Sequence, residues 1–77
     1  MSDKEKLQQL NAIKAALFNA TEKNIENYLE RKAIYGEFED STQDSRIRFN
    51  ACYNIIEECG LENEFEKWKR ENGIDRG

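Results

Sequence analysis

The sequence predicts an all-α fold, in which a long N-terminal helix packs against a helical hairpin within one domain spanning residues 1–77. Three observations carry that expectation. The run from Leu7 to Tyr35 contains neither glycine nor proline, and its apolar residues recur at helical spacing. The chain has no proline at all and no strand-like alternation. Its 4 glycines, Gly36, Gly60, Gly73 and Gly77, are isolated and read as helix ends.

The first helix is expected over about residues 3–35. Ser2 and Glu5 have capping-box spacing, and Asp3 adds negative charge where the helix dipole favours it. At about 100° per position, Leu10, Ile13, Leu17, Tyr28 and Tyr35 form one apolar stripe. Leu7, Phe18, Ile25 and Leu29 form a second beside it. Lys14, Thr21 and Lys32 run along the seam. The cluster Asn19, Ala20 and Thr21 resembles a weak stop and a new cap, but the stripes keep their phase across it, so one unbroken helix is favoured. Glu22, Glu26 and Glu30 read as a solvated outer face, with an acidic docking strip as the alternative.

Gly36 closes this helix, and residues 36–41 form an acidic loop in which Phe38 is expected to tuck back onto the core as a lid. Ser41 and Asp44 then suggest a capping box for a second helix over about 42–59. Phe49, Cys52, Tyr53, Ile55, Ile56 and Cys59 fall within an arc of about 160°, an apolar face expected to be buried. Arg46, Asn50, Asn54 and Glu57 lie opposite. Arg48 falls inside the apolar arc, where its stem snorkels to water or its guanidinium pairs with a carboxylate of the loop or of a partner. Ile47 points away from the arc and looks like part of a contact surface. A third helix, about 62–72, is anchored by Leu61, Phe65 and Trp68 and closed by Gly73 with Ile74.

Size and charge bound what such a chain can do. At 77 residues, folding removes only about 60% of the surface the unfolded chain exposes, so help from a partner is plausible. A net charge of −4 lacks the basic surplus of a polyanion binder. Cys52 and Cys59, seven positions apart on a helix, are about 10.5 Å apart, too far for a disulfide. Two reduced, buried thiols suit a cytoplasmic protein, and neither a signal segment nor a membrane-spanning run is visible. The Asn19–Thr21 triplet matches a glycosylation acceptor by letter alone.

No constellation for catalysis is visible. With no histidine, neither cysteine nor any serine has a partner base of the usual kind, and no close Cys pair or His/Cys set would hold a metal. No cofactor and no small-molecule substrate is implied. The expectation is therefore a non-catalytic protein–protein interaction module. It would form a homodimer through Leu7, Phe18, Ile25 and Leu29 with Ile47, or bind and regulate, by inhibition, a larger macromolecule, as small phage- or mobile-element-encoded proteins do. Arg46, Arg48, Asn50 and Asn54 are candidate polar contacts.

The alternative is nucleic-acid binding. The second helix, Gly60 and the third helix loosely resemble a helix-turn-helix, with Lys67, Lys69 and Arg70 available to phosphates. Ile56 stands where that motif has a small residue, however, and Glu62, Glu64, Glu66 and Glu71 load the reading helix with charge that repels the backbone.

Overall fold

The computed structural model describes residues 3–74 as three helices, α1 (Asp3–Tyr35), α2 (Asp40–Glu58) and α3 (Glu62–Glu71), with no strand among the described residues. Ser2 lies outside them, so the first capping box is not described. Helix α1 is unbroken. The Thr21 hydroxyl donates to the Leu17 carbonyl at 2.7 Å, so the residue that would cap a new helix bonds back into the preceding turn instead. At the far end the Gly36 N–H donates to the Lys32 carbonyl at 3.0 Å, with Gly36 in the left-handed region at φ +85°.

Helix α2 starts at Asp40, two residues before the position that the Ser41–Asp44 pattern predicts. The cap is Glu39, whose carboxylate accepts both the backbone N–H of Ser41, at 2.9 Å, and the Ser41 hydroxyl. Glutamate is not among the favoured caps, so propensity pointed at the serine. The serine instead serves as a donor to the real cap, and its hydroxyl holds the Glu39 carboxyl below the ordinary carboxylate range.

The 36–39 turn is tied down by groups other than the one expected. Tyr28 stacks on Phe49 with centroids 5.6 Å apart and donates its hydroxyl to the Glu37 carboxylate at 3.2 Å. Lys32 reaches the same carboxylate at 3.6 Å, and the Gln43 amide donates to the Glu37 carbonyl. Phe38 is not the lid: it is 91% exposed. The turn is held by its polar atoms, so no apolar anchor is needed there.

Helix α2 ends in a Schellman closure, with the Leu61 N–H on the Ile56 carbonyl at 2.9 Å and the Gly60 N–H on that of Glu57 at 3.0 Å. This folds Leu61 back onto the core beside Ile56. The end of α3 repeats the pattern, Ile74 to Lys69 at 2.8 Å and Gly73 to Arg70 at 3.2 Å, as the glycine spacing predicts.

The core is small. Among the described residues only Phe18, Ile56 and Phe65 are buried hydrophobics, ringed by half-buried Leu17, Ile25, Tyr53, Leu61 and Trp68. Phe65 lies 5.3 Å from Phe18, 6.1 Å from Trp68 and 6.4 Å from Tyr53, so one aromatic on α3 joins all three helices. The broad apolar face expected on α2 is therefore buried only at its centre: Ile55 is 48% exposed, Cys59 is exposed and Cys52 is half-buried. The two buried thiols expected from sequence are not found.

Polar side chains are buried as completely as the apolar ones. Thr21, Glu22, Thr42 and Ser45 all lie in the interior. Glu22 corrects the expectation of a solvated Glu22, Glu26, Glu30 face; only Glu26 and Glu30 are exposed. The Ser45 hydroxyl is satisfied by the Ser41 carbonyl at 2.9 Å, whereas the Thr42 hydroxyl is buried with no hydrogen-bond partner among the described residues. Such a group costs about 1–3 kcal/mol. Thr42→Val, which replaces the hydroxyl by a methyl group, is expected to stabilise the chain by about 1 kcal/mol. A lower denaturation midpoint for that variant, measured by circular dichroism in urea, would refute the assignment.

The molecule is elongated, 49 × 22 × 16 Å, with a radius of gyration of 14.6 Å against about 11.5 Å for a compact domain of this length. Helix α2 has 19 residues, about 28 Å, and runs antiparallel to the C-terminal part of α1. Every residue from Asp3 to Ile13 is exposed. The first three turns of α1 thus project as an arm beyond most of the body.

Candidate functional site

One flank shared by α1 and α2 is largely apolar. On α1, Leu10, Leu17 and Asn24 are seven positions apart and share one side, with Ile13 and Ala20 between them. On α2, Cys52, Ile55 and Cys59 share one side by the same spacing. The Asn24 amide contacts the Cys52 sulfur at 3.7 Å, which brings these two sides together. Because the helices are antiparallel, two turns back from Asn24 and two turns on from Cys52 place Leu17 level with Cys59. Leu10 and Ile13 extend the line along the arm. Leu10 is 47% exposed and Ile13 64%. Its exposed members, Leu10, Ile13, Ile55 and Cys59, leave an apolar surface on this side that no part of the described chain covers.

Toward the hairpin turn the same side becomes basic. Arg31 and Arg48 line a small recess with Ser41, Asp44 and Ser45. Neither arginine has a carboxylate within ion-pair distance among the described residues, although the Arg31 charge acts on Glu39; Arg48 is exposed.

The residues that sequence put forward as an interface separate into two groups. Phe18, 4% exposed, is a centre of the intramolecular core, and Ile25 packs against that core. They cannot serve a partner without being withdrawn from the fold, because α2 and α3 already cover that stripe. Leu7 and Leu29 are exposed at its two ends, and Ile47 is exposed on α2. The proposed polar contacts Arg46, Asn50 and Asn54 are likewise exposed. Of the other stripe, Leu10 and Ile13 are free, whereas Leu17 packs against the core and Tyr28 stacks on Phe49. The signal of this stripe in the sequence was the alternating 4-3 spacing of Lys6, Leu10, Ile13, Leu17, Ala20 and Asn24, a heptad seam sustained over the arm and the middle of α1.

The basic residues of α3 are occupied by that helix's own acids. Lys69 pairs with Glu66 at 2.9 Å and lies 4.9 Å from the Phe65 ring centroid, half-buried; Lys67 approaches Glu71 at 3.9 Å. Between α1 and α3 an open cleft of about 410 Å³ is lined by Asn11, Lys14, Ala15, Phe18, Lys67 and Trp68, and a Lys14–Glu64 pair at 3.0 Å spans it. Its charges are balanced, so it offers no electrostatic preference for an anion or a cation.

Among the described residues there is no group of three or more His, Cys, Asp or Glu arranged to hold a metal ion, and no helix is long and apolar enough to cross a membrane. No protein-family model, curated protein or solved structure matches the chain.

Proposed function

We propose that the chain is a non-catalytic interaction module that works as a homodimer, built on the apolar flank of α1 and α2. The observation that carries this reading is the excess of surface. The chain exposes 5773 Å², whereas a folded monomer of 9.1 kDa exposes about 4,900 Å². The excess of about 900 Å² is close to the roughly 800 Å² that each partner contributes to a stable protein–protein interface. A core of three buried hydrophobic side chains among the described residues is also thin for a chain of this length, and pairing would supply the burial that the isolated fold lacks.

Regulation of a larger macromolecule would then fall to surfaces outside the flank, of which the Phe38 tip is the most exposed. Nucleic-acid binding gains no support from the arrangement of Lys67, Lys69 and Arg70, because their helix neutralises two of the three charges.

Association linked to folding makes stability depend on concentration. The thermal midpoint of the wild-type chain is expected to rise steadily between about 1 and 100 µM, because mass action favours the associated folded form. A midpoint independent of concentration over that range would remove the reading.

A further inference from the structure

We infer that the two copies pair antiparallel, α1 against α1, about a two-fold axis level with Ala15, so that each arm lies in the groove between α1 and α2 of the other copy. This inference rests on the homodimer reading and adds its register. The groove so defined would run between Leu17, Ala20 and Asn24 on α1 and Ile55 and Cys59 on α2, of which Ala20, Ile55 and Cys59 are exposed. The heptad seam fills it in layers. Ile13 meets Leu17 of the second copy, Leu10 meets Ala20, and Lys6 meets Asn24, each large side chain facing a smaller one or one that is set back.

Polar groups select this direction. In a parallel, in-register pair Lys6 would face Lys6 and Arg31 would face Arg31, like charges placed along the contact. Turning one copy round removes both conflicts. Lys6 then approaches Asn24, whose amide nitrogen is already engaged with the Ala20 carbonyl at 2.8 Å, leaving its side-chain oxygen turned to an ammonium donor. The first acid of the arm, Asp3, arrives opposite Asn27, about 6 Å along the axis from Arg31, which with Arg48 and Asp44 lines the recess there. Neither arginine has a carboxylate within ion-pair distance among the described residues, although Glu39 lies close enough to feel the Arg31 charge. An exposed apolar seam and an acid brought toward two arginines follow from the same register.

Spin labels measure that register directly. Lys4 and Asn19 are exposed and lie on the side of α1 away from the seam, so each can be replaced by a labelled cysteine in a Cys52→Ala/Cys59→Ala background. In the antiparallel pair the two copies of residue 4 are displaced along the axis by about 33 Å and those of residue 19 by about 12 Å; in a parallel pair neither is displaced. The pulsed dipolar distance is therefore expected to be longer at residue 4 than at residue 19 by about 10 Å or more. Equal distances, or the reverse order, would overturn the register while leaving a homodimer in place. No intermolecular dipolar signal at either site would overturn both the register and the homodimer. If the alanine background does not fold, Cys52→Ser/Cys59→Ser carries the same two labels.

Discussion

Phe65→Ala is expected to leave the chain largely unfolded at room temperature. The ring sits between Phe18 of α1, Tyr53 of α2 and Trp68 of its own helix, with Lys69 over its face. Removing a buried phenylalanine costs about 3–5 kcal/mol, through lost transfer energy and the cavity left behind. A chain of this length has about 4–11 kcal/mol in total, and a core with three buried hydrophobics among the described residues places it at the low end. Helix α3 depends on this residue more than on any other, because its ten residues are too few to be helical alone in water. The check is helical circular dichroism through a thermal melt. A variant that keeps a cooperative transition within about 1 kcal/mol of wild type would show that the core lies elsewhere.

The second large effect is dissociation without unfolding. Leu10→Asp with Ile13→Asp is expected to give a folded monomer. In the isolated chain both side chains face water, so the exchange touches the fold by no more than about 1 kcal/mol in all. In the pair each carboxylate would be desolvated without a partner, at about 2–5 kcal/mol apiece, which weakens association at least a thousandfold, by about 4 kcal/mol or more. Phe18→Asp is the informative contrast. From sequence alone it was the natural choice for separating two copies, but with Phe18 in the core it unfolds the chain instead. If Phe18→Asp gave a folded monomer and the double aspartate variant stayed associated, the assignment of the two stripes would be reversed.

That exchange of stripes marks how far the sequence could be read. Helix boundaries followed from local chemistry: Gly36, Gly60 and Gly73 stop the three helices by the left-handed closures that only glycine makes cheaply, and each lies where its spacing put it. The unbroken α1 was legible because apolar phase outweighs one weak stop. What could not be read was which parts of the two adjacent stripes meet α2 and α3: Phe18, Ile25, Leu17 and Tyr28 pack inward, whereas Leu7, Leu10, Ile13 and Leu29 do not. Both stripes are equally apolar, and the division depends on where the hairpin turn directs α2, where Tyr28, Lys32 and Gln43 converge on Glu37. Contacts between side chains of different elements leave no periodic trace.

Phe38 and Glu22 were misplaced for related reasons. An aromatic among charges was assigned to the core, and a carboxylate in an acidic series to water, on residue type alone. Tying the turn through its polar atoms left Phe38 outside. The approach of α2 and α3 to α1 enclosed Glu22. In the candidate interface, Leu10 and Ile13 were visible as part of a stripe from the outset. Their exposure became evident only once α2 proved to cover little more than half of α1.

The most direct measurement is the mass of the wild-type chain in solution, by light scattering at about 100 µM, a concentration at which even an association of about 8 kcal/mol is nearly complete. Pairing on the flank requires twice the 9.1 kDa of one chain, falling to a single mass in Leu10→Asp/Ile13→Asp. A mass of 9.1 kDa for the wild type, in a sample that still melts cooperatively, would contradict it.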